Sequence, residues 1–416
     1  MKRFLLLSSG ALLLSVVWTL APVYQFYAHR GITPMPPWGW VTLAGPVPEA
    51  QQAFNPSYQA AGSRALRQMA EYRAATNLPS LSAAVAVGSE LVWAGSVGFS
   101  DLASRTPATP DTLFRIGSTS KALTATALAR LVERGVIDLD GPLSSYLADV
   151  ANPAWSDVTA RQLASHSAGM PHYGDNRDWM GLYRSVAMDN HYDDVRDAVS
   201  IFDSSPLLYS PGTDFHYSSL GTVLLGAAMS DASRSSFREL MHQEVLEPAG
   251  MVSTFADGDG DPREARLATL YFTDGQRFRP WRKVDLSHRL PGGGFISSPK
   301  DLVRLGKIYF DAGYLSAETR RLFWTPQRLA DGSINEQNYA LGWRWREWDV
   351  EGVGVVRSAN HGGVSRGSQC WLLLYPDYAM SMAFCTNAKT EEFGTFGRFY
   401  ESLFLSFVTT TEGSSG

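Results

Sequence analysis

The chain of 416 residues contains only two cysteines, Cys370 and Cys385, so at most one internal bridge can form and no disulfide framework holds the fold. It has no run of Lys or Arg, and its net charge is -5. Nucleic acid is therefore not an expected partner. No internal repeat occurs. His166 and His172 stand six apart, but no third ligand with zinc-like spacing accompanies them, so no metal or organic cofactor is expected. What is present is ordinary: 44% hydrophobic and 19% charged residues, enough for a large buried core.

The N-terminus departs from that composition. Lys2 and Arg3 precede an apolar run from Phe4 to Ala21. The run is long for a signal-peptide core and slightly short for a full span. A cleavage site at Thr19-Leu20-Ala21 would be followed by Pro22, and Phe26-Tyr27-Ala28 is bulky where a small residue is wanted. Residues 1–30 read as an uncleaved membrane anchor in preference to a removed signal peptide. The two cations favour a cytoplasmic N-terminus and an exported body, periplasmic if the source is bacterial. Residues 31–56 are proline-rich and read as a stiff spacer, with Trp38 and Trp40 at a membrane surface, or as a linker packed on the body. Residues 57–409 form the main domain and 410–416 a flexible tail.

Within the main domain a helix is predicted from about Tyr58 to Thr76. A hairpin follows, Leu81–Val87 and Glu90–Ala94 around Gly88-Ser89. Apolar residues at helical spacing (Leu123, Ala127, Leu131, Val132) run to Gly135. Thr159-Ala160-Arg161-Gln162 is a capping box. Leu220–Met229 is another apolar helix. Strand-like runs return at Ala340–Trp345, Gly352–Arg357, Ser368–Tyr375 and Met380–Thr386, and a last amphipathic helix spans about Thr395–Phe407. In the hairpin around Pro376-Asp377-Tyr378-Ala379, pairing Tyr375 with Met380 sets Cys370 opposite Cys385. That register permits a cross-strand disulfide in an oxidising compartment; two buried free thiols are the other reading. Strands at both ends and helices between them predict an α+β fold: an antiparallel sheet from N- and C-terminal segments, flanked by helices, with a mostly helical region inserted.

Chemistry concentrates at Ser118-Thr119-Ser120-Lys121. Positions i and i+3 share a helix face, so the Ser118 hydroxyl and the Lys121 amine would point into one space. A desolvated lysine can serve as base for a serine nucleophile. Such a site also needs a proton carrier to the leaving group and donors for the oxyanion. Tyr217-Ser218-Ser219, just before a helix, offers the first. His361-Gly362-Gly363, leading into a strand, offers backbone that can approach a ligand closely.

These elements, in this order, resemble the penicillin-recognising serine hydrolases: class C β-lactamases, their related esterases, and DD-peptidases. Ser118–Lys121 matches the Ser-x-x-Lys box. Tyr217–Ser219 matches the Tyr-x-Asn box in part, and His361–Gly363 the Lys-Thr-Gly or His-x-Gly box. Pro110–Gly117, Leu163–Pro171, Pro291–Phe295 and Tyr339–Trp343 are also family-like, so the resemblance covers about residues 57–409. It implies a β-lactamase/transpeptidase-like fold, Ser118 as acyl-accepting nucleophile, and Lys121 and Tyr217 sharing its proton. The oxyanion hole would be the N–H groups of Ser118 and Val364, with His361, Gly362, Gly363 and Ser219 around the substrate.

Two departures tilt the implied activity. Ser219 stands where the family has asparagine, and its shorter hydroxyl is not expected to reach as far towards Lys121 or a substrate carbonyl. His361 stands where β-lactamases and DD-peptidases have lysine, which weakens recognition of a substrate carboxylate. The expectation is hydrolysis of a small ester, amide or peptide, esterase-like in preference to a β-lactamase or D-amino-acid peptidase. A catalytically weak scaffold of the same fold is the reading from another class. Gly363-Val364-Ser365-Arg366-Gly367 also fits a nucleophile elbow. However, all eight histidines precede Ser365, and a strand rather than a helix follows it, so the elbow is rejected. Nothing in the sequence sets an oligomeric state.

Overall fold

The structure, a computed structural model, describes residues 2–147, 149–390 and 392–411. Its centre is an antiparallel sheet whose strands come from both ends of the chain. In chain order they are β1 (Glu49–Ala53), β2 (Ser80–Val87), β3 (Glu90–Asp101), β4 (Arg344–Val350), β5 (Gly354–Ser365), β6 (Ser368–Tyr375) and β7 (Met380–Thr386). Their spatial order is β4-β5-β6-β7-β2-β3-β1, with the short strand Thr106–Pro107 added on β3.

Strand alternation divides the core. On one face Trp371, Leu373, Tyr375, Met382 and Phe384 pack against helices α2 (Gln59–Ala75) and α7 (Phe393–Thr411). On the other, Leu372, Leu374, Ala383 and the two cysteines join the larger core of the inserted helical region. That core includes α3 (Ser120–Glu133), α5 (Ser219–Ser233) and α6 (Pro299–Phe310). The register pairs Tyr375 with Met380 and Cys370 with Cys385, and the two sulfurs are bonded. The helix starting at Ala160 is capped by Thr159 and Gln162 as the sequence predicts.

Two expected elements shift. Ala340–Trp343 is not strand: Gly342 takes a positive φ of 74°, and a Cβ there would lie 2.4 Å from the Ala125 Cβ on α3. The segment is a buried turn, closed by Ala340 N–H donating to the Trp343 carbonyl at 2.8 Å, and the strand begins only at Arg344. The following strand starts at Gly354 rather than Gly352 and runs on to Ser365, past the expected end at Arg357.

The proline-rich stretch packs on the body, the second of the two sequence readings. Val41–Thr42 pairs with Arg277–Pro280, and β1 pairs with β3. Trp38 is exposed, whereas Trp40 lies against Phe272 with the Arg277 guanidinium over its ring. Helix α1 (Lys2–Ala28) contains Pro22 and exposes Leu12, Leu13, Leu14, Val16, Val17, Trp18 and Leu20. Its last turn docks: Phe26 is buried among Val186, Met188, Val284 and Leu286. Tyr183, on α4 (Trp179–Ala187), donates to the Thr19 carbonyl at 3.1 Å. Among the described residues no helix is long and apolar enough to cross a membrane. Of the expected tail, residues 412–416 lie outside the described residues, and 410 and 411 end α7.

Candidate active site

Ser118 sits in a tight turn, Gly117–Thr119, that runs straight into α3. β5 presses against that turn. A Cβ on Gly363 would lie 2.0 Å from the Ile116 oxygen and 2.7 Å from the Ser118 nitrogen. Gly117 has a φ of 54°, and a Cβ there would lie 2.8 Å from the Val364 nitrogen. Only glycine at both positions lets the backbones of Ser118 and Val364 come together. Ser368 Oγ donates to the Arg115 carbonyl at 2.7 Å and Thr119 Oγ1 to the His361 carbonyl at 3.3 Å, which pins turn and strand. β4 stops pairing with β5 at Asn360, so residues 361–365 have one free edge. Gly362 and Val364, at alternate positions on that edge, line a cavity of ≈ 310 Å³ with Ser118, Tyr217 and Ser219.

Lys121 is 2% exposed. Its amine donates to Ser118 Oγ at 3.4 Å, to Ser219 Oγ at 2.9 Å and to the Gly292 carbonyl at 2.7 Å. The three acceptors come from the turn before α3, from the first residue of α5, and from the glycine turn Leu290–Gly293. Thr124 holds that turn by donating to the Pro291 carbonyl at 2.7 Å. A buried ammonium is thus surrounded by neutral oxygens and carries no carboxylate partner among the described residues. Ser219 therefore does reach Lys121, against the expectation that a hydroxyl would fall short. Packing of α5 against α3 supplies the approach that a longer amide would have supplied.

The Tyr217 ring lies 4.8 Å from the Lys121 nitrogen and 5.4 Å from the Arg344 guanidinium carbon. Burial pushes its phenol up, but the charges of Lys121 and Arg344 outweigh burial and the net shift is down. His166 and His172 hold the start of α5: their Nδ1 atoms accept from the Ser218 and Ser219 N–H groups at 3.3 and 3.1 Å. An Nδ1 that accepts carries no proton, and both rings are neutral. Burial, then the Lys121 charge, pushes His166 well below its ordinary value and His172 down to about 3. Among the described residues no cluster of His, Cys, Asp or Glu could hold a metal ion.

His361 is not among the residues that line the cavity. It is wholly buried behind the cavity; Nδ1 donates to the Gly362 carbonyl at 2.8 Å and Nε2 accepts from the Tyr339 hydroxyl at 2.9 Å. Both nitrogens are used, and the ring is neutral, pushed down by burial and by Arg344. The cations on the cavity wall are instead Arg289, Arg344 and Arg366, which the sequence reading did not single out. Two had a signal. Arg344 directly follows the family-like Tyr339–Trp343, and Arg366 continues the alternation Gly362, Val364. Arg289 had none. Ser365 pairs with Ser368 at the strand end and leads into β6 rather than a helix.

The sequence profile of the beta-lactamase family matches residues 66–403. The chain is 25% identical over 380 residues to the serine beta-lactamase-like protein LACTB, mitochondrial, of Homo sapiens, covering 72% of this chain and 69% of that one. It is 28% identical over 285 residues to esterase EstB of Burkholderia gladioli, covering 61% and 69%. The D-amino acid amidase of Ochrobactrum anthropi SV3, solved with D-phenylalanine, superposes at a TM-score of 0.69 and 18% identity over 84% of this chain and 99% of that one, a likeness of fold. The profile match begins within α2 and ends within α7, taking in every strand from β2 to β7 and the helical region between them, and the chain belongs to the beta-lactamase family.

Proposed function

We propose that the protein is a serine hydrolase that cleaves an ester or amide through an acyl intermediate on Ser118. The observation that carries the reading is the Lys121 amine, buried among neutral acceptors and donating to the Ser118 hydroxyl. Ser118 Oγ attacks the carbonyl carbon, and its proton passes to the Lys121–Tyr217 pair. The Ser118 and Val364 N–H groups receive the oxyanion. Collapse expels the leaving group, which takes the proton from the Tyr217 side. Water then attacks the acyl-serine, the pair accepts its proton, and Ser118 is restored as the acid departs.

Two features favour a small ester over a β-lactam. Ser219 cannot present an amide to the substrate, and the buried His361 leaves no lysine at the strand start. Similarity to an esterase agrees with this preference. The exposed apolar stretch of α1 behind Lys2 and Arg3 supports an exported protein held at a membrane by its N-terminus.

A fluorophosphonate probe tests the reading. Covalent labelling of the native protein, abolished by Ser118→Ala with the fold intact, is the expected result. A folded native protein that does not label would instead be a binding protein of this fold. A membrane fraction free of the full-length protein would end the anchoring proposal.

A further inference from the structure

Arg289, Arg344 and Arg366 line one cavity with the nucleophile, and no acidic side chain lines it. Among the described residues none of the three has a carboxylate at ion-pair distance. Arg289 donates to His288 Nε2 from Nε at 2.9 Å and to the Ser185 carbonyl at 3.3 Å, and lies 4.4 Å from the Tyr173 ring centroid. Arg366 donates to Met188 Sδ at 3.2 Å and packs against the Phe26 and Trp281 rings. Asp257, which feels the Arg289 charge, is engaged by Arg115 at 2.6 Å. Guanidinium groups do not shed their protons, so desolvated charge of one sign is left facing the cavity.

The three cations are not equivalent along the cleft. Arg344 sits at the Tyr217 end, 3.5 Å from His361 Nε2. Tyr217 delivers the proton to the leaving group, so the leaving group occupies that end. Arg366 lies two residues beyond Val364 in the other direction, in the turn that joins β5 to β6. It also opens onto a second cavity of ≈ 700 Å³ that shares His172, Tyr173 and Val364 with the first. The acyl portion of a substrate therefore extends towards Arg289 and Arg366.

Resting on the acyl-serine reading, we infer that the acyl portion carries its own anionic group, held by Arg289 and Arg366. The substrate is then an ester or amide of a dicarboxylic or acidic amino acid. A guanidinium fork holds such a carboxylate through two parallel hydrogen bonds.

Two measurements test this. The first compares p-nitrophenyl monoglutarate with its neutral methyl ester on the native protein, corrected for uncatalysed hydrolysis. The anionic ester is expected to have a kcat/KM at least about tenfold higher, and Arg366→Gln or Arg289→Gln to erase that ratio, with Arg366→Lys restoring part of it. The second titrates glutarate into Ser118→Ala protein by calorimetry, which needs no turnover; binding is expected, and is lost in the Ser118→Ala/Arg366→Gln pair. A preference for the methyl ester, with Ser118 still reacting with fluorophosphonate, overturns the inference and leaves the hydrolase standing. Arg366-dependent glutarate binding without any reaction at Ser118 does the reverse.

Discussion

Arg115 and Lys121 are buried six positions apart on either side of Ser118, and their surroundings differ in kind. Arg115 meets Asp257 through two bonds, at 2.6 and 3.2 Å, and also donates to the Val284 carbonyl at 3.1 Å. Lys121 meets two hydroxyls and a carbonyl. A cation locked to a carboxylate holds the chain in place; a cation among neutral oxygens can give up or take a proton without breaking an ion pair. The first fixes the segment that leads into the Ser118 turn, and the second stands beside the Ser118 hydroxyl. Arg289 and Arg366 form a third case, guanidinium groups with no carboxylate at ion-pair distance among the described residues.

The sharpest way to break the comparison is Lys121→Met. Turnover is expected to fall about 10³-fold or more, while folding stability stays within about 2 kcal/mol of wild type, since only neutral acceptors lose a donor. Steady-state rates and urea denaturation together decide; a collapse of stability would make Lys121 as structural as Arg115. Asp257→Ala should behave oppositely, destabilising the fold by about 3–5 kcal/mol because the Arg115 charge is left buried and alone. A midpoint of denaturation unchanged by that substitution would remove the contrast.

A smaller effect per group comes from the histidines around Lys121. His166, His172 and His361 are each held below their ordinary value, by burial first and then by the charges of Lys121 or Arg344. The unfolded chain binds protons at these sites below about pH 6.5, whereas the folded chain does not. Stability therefore falls as pH falls through that value, by about 1.4 kcal/mol per pH unit for each histidine. Denaturation midpoints between pH 7 and 5 measure it, and a flat profile would show that the rings are protonated in the fold. The loss should be shallower in Lys121→Met, which removes one of the charges that keep them neutral.

Much of the fold was legible because its signals are local. Turn residues and alternation placed the hairpin that sets Cys370 opposite Cys385, and the Thr159–Gln162 capping box starts a helix where it stands. The order of the three boxes identified Ser118, Lys121 and Tyr217, which the fold brings to one cavity or its wall. Ala340–Trp343 misled because its apolar pattern suits a buried turn as well as a strand, and Gly342 against Ala125 decides between them. His361 misled for a related reason. Motif position shows which residue follows which, but not that the ring turns behind the strand edge to Tyr339.

The sequence by itself determined the α+β layout, the Ser118–Lys121 box and the family resemblance, because helix spacing, strand alternation and motif order are properties of neighbouring residues. Only the tertiary structure decided that Ser219 reaches Lys121, that His361 is withdrawn, and that three arginines share a cavity with Ser118. Each depends on how closely segments from α3, α5, the glycine turn and β5 approach. Such distances are set by packing across the whole core, which no short stretch of sequence records.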